Sequence, residues 1–293
     1  MHPTLFEFGN FKIYSYGVMV ALGFLIATYF ASRQAKRAGI APQQIFDILL
    51  YALLFGIVGA RTLHVILDFG YYINRPLEII MINQGGLAFQ GGLLTGIAGA
   101  WFFIRRYKMP LWKTADIIIP YVALGQAIGR LGCFLNGCCY GVYTYLPIGI
   151  RLPGHILRLH PTQLYESIFL LLAFVLLAEI YRKKRSDGVV FFSYLIIFSF
   201  GRFFIDFFRG DLQTVFFGLK TSQLISVAIF FAALFLLAIK RIKNDRTKDE
   251  ATRDEGRADE RVLNNSENTQ YTNYITVTFI GYGHDARFGF RLR

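Results

Sequence analysis

Seven apolar runs divide most of the chain, each closed by a polar or basic segment. They cover residues 14–32, 45–67, 87–104, 114–135, 163–181, 189–208 and 222–239. Roughly 20 predominantly apolar residues suffice to cross the hydrocarbon layer as a helix. The pattern therefore predicts an all-α integral membrane protein, with seven transmembrane helices in a domain over residues 1–243. Small residues recur at helix-packing spacing in two of the runs, Gly56 and Gly59 in one and Gly92, Gly96 and Gly99 in the other, marking faces for close contact. No internal sequence repeat is evident, which weighs against a transporter built from repeated halves.

Charge adds an orientation. Basic clusters follow alternate runs: Arg33, Lys36 and Arg37; Arg105, Arg106 and Lys108; Arg182, Lys183, Lys184 and Arg185; Lys240, Arg241 and Lys243. Cytoplasmic flanks carry the excess of Lys and Arg, so the N-terminus is expected outside, the C-terminus in the cytoplasm, and the polar segment 136–161 in an external loop. A signal peptide would carry its basic residues before the apolar run, not after it. The net charge of +12 belongs to the membrane part, because residues 244–293 hold eight Lys/Arg and nine Asp/Glu. It reports topology and implies no nucleic-acid partner. That last segment is expected to be a charged, disordered cytoplasmic tail; its run YITVTFIGYG alternates as a strand would, and no function is assigned to it.

The rarest residue choices fall at 125–141, GQAIGRLGCFLNGCCYG, where an arginine sits in an apolar run beside all three cysteines. An arginine within a span is costly unless it is paired or faces a wet cavity. Arg61, Arg130 and Arg202 each lie five or six residues inside the outer end of their runs, which at 1.5 Å per residue puts all three about 8–9 Å deep. Tyr16 and Gln90 fall in the same layer, and Glu166, Asp206 and Arg209 in the same outer half. A lone arginine near a helix end snorkels to the interface, and Arg209 by itself reads that way. Set against Glu166 and Asp206 alone, however, three or four arginines leave surplus positive charge for an anionic guest. A guanidinium fork matches phosphate oxygens, so a phospholipid headgroup site is expected. Cys133, Cys138 and Cys139, with His155 and His160 downstream, fit no common zinc spacing. Neither a metal nor any other cofactor is expected, and the cysteines read as small buried filler at a tight helix end.

Six motifs occur in one order: IYSYGVM around Tyr16, GAR ending at Arg61, FQGGLLTG at 89–96, GRLGCFLNGCCYG at 129–141, HPTQLYES at 160–167 and GRFFIDFFRGD at 201–211. The set resembles the signatures of bacterial prolipoprotein diacylglyceryl transferases, and the resemblance covers about 13–239. The resemblance implies transfer of the diacylglyceryl group of phosphatidylglycerol to the lipobox cysteine thiol of a preprolipoprotein signal peptide, with release of glycerol phosphate. It also implies a multi-pass protein of the bacterial inner (cytoplasmic) membrane, surrounded by membrane lipids, with its active site facing the outer side. Arg130, Arg202, Glu166 and Gln90 are then the catalytic candidates. Tyr16, Arg61, Asn136, Gly141, Asp206 and Arg209 are the substrate-binding ones.

The sequence also departs from the family pattern. Gln90 stands at the usual histidine and Phe198 at the usual tyrosine; Cys133 replaces an Asn, Cys138 an acidic residue and Asp206 a Glu. Glutamine cannot take a proton, so a histidine-base step does not carry over. A thiol of pKa about 8.5 is ionised more readily beside arginines, and Glu166 is the carboxylate left to accept its proton. Two other readings stay open: a divergent paralogue acting on another lipid or acceptor, and a non-catalytic phospholipid-binding or transport protein.

Overall fold

A computed structural model describes residues 4–8, 11–81, 85–152, 156–184, 186–211, 214–216 and 218–242. Seven long helices fall on the seven apolar runs: α1 Ser15–Arg37, α2 Pro42–Leu67, α3 Phe89–Arg106, α4 Leu111–Asn136, α5 Thr162–Lys183, α6 Val189–Ile205 and α7 Thr221–Ile242. The runs understate several ends. α1 continues through Lys36 and Arg37, whose charges suit the negative end of the helix dipole, and α2 begins with Pro42 in its first turn. α6 stops at Ile205, and a 3₁₀ turn, Asp206–Phe208, carries the chain on. Six of the seven are long and apolar enough to cross a membrane, which makes the chain a multi-pass membrane protein. The other, α3, has 18 residues, with Gln90 near one end and Arg105 and Arg106 at the other.

The described residues are not purely helical. A hairpin of β1 Thr4–Phe8 and β2 Phe11–Tyr14 leads directly into α1, and a second of β3 Thr214–Phe216 and β4 Leu219–Lys220 leads into α7. Strands of two to five residues are too short for a sequence pattern to reveal, and two-stranded hairpins depend on their attachments for stability. Residues 1–237 form one compact unit; of the second, 238–293, only the end of α7 is described. The tail expected over 244–293, with its YITVTFIGYG run, lies outside the described residues, as does His155.

α4 is the central helix, packed against α1, α5 and α6, while α3 packs chiefly on α2. The small-residue faces meet as their spacing predicts. A Cβ at Gly91 would lie 2.4 Å from the Gly59 carbonyl oxygen, one at Gly92 3.0 Å from that of Gly56, and one at Gly96 3.1 Å from that of Ala52. Thr95 Oγ1 adds a hydrogen bond across the seam to the Phe55 carbonyl at 2.8 Å. Contacts of this closeness hold helices together in lipid, where apolar side chains gain nothing by leaving the hydrocarbon.

At the start of α4 the fully buried Asp116 fixes the entry to α6. Its Oδ2 accepts from the Gly188 backbone N–H at 2.7 Å and from Lys184 Nζ at 2.9 Å, and its Oδ1 accepts from the Phe191 N–H at 2.9 Å. Asp116 thus caps a helix 72 residues further on, meeting orphan N–H groups with a negative charge at the positive end of the dipole. Burial alone would lower the Lys184 pKa, but its hydrogen bonds to Asp116 and Asp187 outweigh this and hold the ammonium above its usual range.

Two stability predictions follow from these contacts. Gly91→Ala drives a methyl toward a backbone oxygen that cannot step aside, and is expected to cost about 1–3 kcal/mol, read as a lowered unfolding midpoint in detergent. Asp116→Asn is expected to cost about 3 kcal/mol, as when one partner of a buried ion pair is removed. A raised lysine pKa contributes stability that is complete below the unfolded value of about 10.4 and is lost as pH rises through the folded one. Wild-type melting should therefore fall at alkaline pH by more than that of Asp116→Asn.

Candidate active site

Three helices contribute to one chain of charges. Arg130 of α4 places Nε 3.0 Å from Glu166 Oε2 of α5, Arg202 Nη1 of α6 bonds the other Glu166 oxygen, and Arg202 Nε lies 3.2 Å from Asp206 Oδ2. Glu166 and Asp206 are buried, whereas the Arg130 and Arg202 side chains keep 23% and 17% exposure, so the open side of the cluster is cationic. The helices are fastened beside it: Ser167 Oγ donates to the Ala127 carbonyl at 2.9 Å, and Tyr194 OH to Gln126 Oε1 at 2.9 Å. Phe169, Leu170, Phe198 and Ile205 pack around Glu166 and Arg202 and leave no room there for a water molecule.

α4 ends at Asn136 because Gly137 takes a left-handed conformation, φ 73°. The Gly137 N–H bonds the Phe134 carbonyl and the Cys138 N–H that of Cys133, each at 3.2 Å, which is a Schellman motif and sets Cys138 back over Cys133. The next residue, Cys139, also has positive φ, 61°. The first two residues of α5 hold this turn: Thr162 Oγ1 donates to the Cys139 carbonyl at 2.8 Å and Gln163 Nε2 to that of Cys138 at 2.6 Å. As a result the three Sγ atoms lie within 4.8 Å of one another. Thiol hydrogen bonds from Cys133 and Cys139, with one from Asn136, draw the Cys138 pKa below its usual value. The linear spacing hides this convergence, and filler is an incomplete description of the trio.

Beyond the cysteines the described residues 140–152 and 156–161 fold back on one another and on the end of α6. Gly141 bridges Arg209, its N–H bonds the His160 carbonyl at 2.9 Å, and a Cβ there would come within 2.6 Å of the Phe208 carbonyl oxygen. Arg209 does not snorkel. It is 6% exposed and grips Asp211 with both Nε, at 2.9 Å, and Nη2, at 2.6 Å. Lys220 is buried beside it, donating to the Asp206 and Arg209 carbonyls.

The charge count on the sequence omitted Asp211 and Lys220. Arg130, Arg202, Arg209 and Lys220 face Glu166, Asp206 and Asp211, so one positive charge is in surplus among these groups. Asp211, two residues after Arg209, was within reach of a sequence reading; Lys220 was not, since only the second hairpin turns it inward.

Not every expected residue joins this cluster. Tyr16 comes near it, because α1 crosses α4 with Tyr16 Cα 3.3 Å from where a Gly132 Cβ would stand. Asn136 is exposed at the end of α4. Arg61 belongs to the α2–α3 pair. Buried at 7% exposure, it donates to the carbonyls of Glu78, Ile79, Met81, Gly85 and Gly86. It lines a cavity of about 360 Å³ with His64, Asp68, Tyr71, Tyr72 and Glu78. His64, one helical turn from Arg61 and 3.6 Å from Asp68, escaped the sequence reading although its i, i+3 spacing was visible. Gln90 is exposed in the first turn of α3.

Known proteins share both the motif order and its extent. A family model described as prolipoprotein diacylglyceryl transferase matches residues 3–239. A Clostridium tetani protein named phosphatidylglycerol–prolipoprotein diacylglyceryl transferase is 40% identical over 234 residues, covering 78% of this chain and 93% of its own. Proteins of that name from Pediococcus pentosaceus and Enterococcus faecalis are each 36% identical over 245 residues, covering 80% of this chain and 88% of their own. With the match running from the first hairpin into α7, the chain belongs to the prolipoprotein diacylglyceryl transferase family.

Proposed function

We propose that the chain transfers the diacylglyceryl group of phosphatidylglycerol to the lipobox cysteine thiol of preprolipoproteins, releasing glycerol phosphate. The observation that carries this reading is the pair of partly exposed guanidinia, Arg130 and Arg202, held on either side of Glu166. In the reaction the acceptor thiol loses its proton, and its sulfur attacks the glyceryl carbon bonded to the phosphate oxygen. The carbon–oxygen bond breaks with its electrons going to that oxygen. A thioether forms, and the phosphate passes from one negative charge to two. Guanidinia already in place where this second charge appears stabilise the transition state more than the bound lipid.

The same positive field favours the acceptor thiolate. Glu166, with both oxygens engaged by arginines, acts here as the positioning group for them. Gln90 orients the lipid by hydrogen bonding. Tyr16, Asn136 and Gly141 border the site from α1 and the loop, Asp206 and Arg209 fix its α6 side, and Arg61 shapes the neighbouring polar cavity.

All seven helices cross the bacterial cytoplasmic membrane in this reading, with the N-terminus outside, the C-terminal tail in the cytoplasm and the site near the outer face. The alternating basic clusters support the orientation. At 18 residues, or about 27 Å, α3 is long enough to span. Purified protein supplied with phosphatidylglycerol and a lipobox peptide is expected to yield both thioether-linked peptide and glycerol phosphate. Lipid binding with neither product would favour a non-catalytic lipid-binding protein, and products from another lipid a divergent paralogue.

Arg130→Lys keeps the charge and loses the fork; the expected loss is about 10²- to 10³-fold in kcat. Arg209→Lys is expected instead to lower the melting temperature, since it breaks a buried bidentate pair. Glu166→Gln is expected to reduce the rate at every pH while the profile keeps its shape and rises toward the acceptor-thiol pKa. Loss of the pH-dependent limb in that variant would make Glu166 the base. An inflection near 6.5 that vanishes on changing His64 or His160 would assign the step to a histidine.

A further inference from the structure

We propose that Cys133, Cys138 and Cys139 together bind one thiophilic d¹⁰ metal ion, of the zinc, cadmium or cuprous class, at the junction of α4 and α5. Their sulfurs lie within 4.8 Å of one another. Sulfurs bound about 2.3 Å from a common ion stand roughly 3.8–4.0 Å apart in tetrahedral or trigonal geometry, so coordination asks for shifts of under about 1 Å, within the reach of χ1 adjustments. The donor set is all sulfur, which selects soft cations over magnesium or calcium.

The turn that presents the sulfurs is constrained at every step. Gly137 closes the Schellman motif, Cys139 holds φ 61°, and the Cys138 and Cys139 carbonyls are fixed by Gln163 and Thr162. All three thiols are free, one buried and two half-buried, so an ion can enter from the loop side. A disulfide would use two sulfurs and strand the third, and closing one between neighbours in sequence strains the backbone. On binding, each thiol gives its proton to solvent as its sulfur–metal bond forms. Three thiolates around a divalent ion carry one net negative charge, and Arg130 lies one turn back from Cys133 along α4 to balance it.

Such an ion would fasten the end of α4 to the start of α5. Cys133 lies one turn after Arg130, and Gln163 one turn before Glu166, so occupancy of the site would fix the spacing of that ion pair. The inference stands apart from the transferase reading, because its test measures metal and not product.

Full-length protein in detergent, reduced and stripped with a chelator, is dialysed against cadmium or zinc. One equivalent per chain is expected, with a sulfur-only shell of about three scatterers by X-ray absorption. Cys133→Ser, Cys138→Ser and Cys139→Ser should each drop below half occupancy at the metal concentration that saturates the wild type. Because these are the only cysteines in the chain, wild-type protein alone gives a second readout that needs no variant: cadmium should protect all three from alkylation. A shell dominated by nitrogen and oxygen, substoichiometric binding, unprotected thiols, or a disulfide in the freshly isolated protein would each overturn the proposal.

Discussion

The bridge from Arg130 through Glu166 to Arg202 is the interaction on which the other features of the site depend. A charge within an apolar helical layer costs several kcal/mol unless it is paired. Three helices each contribute one such charge, and they are stable together only in the register that pairs them. That requirement fixes the register of α4, α5 and α6 and leaves the Arg130 and Arg202 side chains 23% and 17% exposed.

Around this bridge the fold uses two kinds of joint. Along the helices, backbones touch where side chains are missing, as at Gly59 with Gly91 and at Gly23, whose Cβ would come within 2.7 Å of the Gly125 oxygen. At the helix ends, polar side chains reach across to satisfy backbone groups: Asp116 at the start of α6, Gln163 and Thr162 at the end of α4, Arg61 at the Glu78, Ile79, Met81, Gly85 and Gly86 carbonyls, and Lys220 below Arg209. Each meets N–H or C=O groups that no helix bond can satisfy, away from water, where leaving them unpaired is expensive.

At the end of α4 the Schellman turn places the sulfurs of Cys133 and Cys138 beside that of Cys139. Gln90 is exposed at the start of α3.

Much of the fold was written in the linear pattern. All seven helices lie on their apolar runs, because the length needed to cross a hydrocarbon layer and the clustering of Lys and Arg at its edge are one-dimensional signals. The glycine faces of α2 and α3 were equally legible, since 3.6-residue periodicity alone puts them on one side. Counting residues from helix ends put Arg61, Arg130 and Arg202 in one layer and Glu166 in the same outer half, although which carboxylate paired with which arginine could not be read that way. Tertiary structure decided the rest. Arg209 turned inward to Asp211, Lys220 came up beneath it from a hairpin too short to see, Arg61 went to backbone carbonyls, and three cysteines of unpromising spacing converged on one point. These outcomes depend on how turns redirect the chain and on which backbone groups are left wanting partners, and neither quantity exists until the helices have packed.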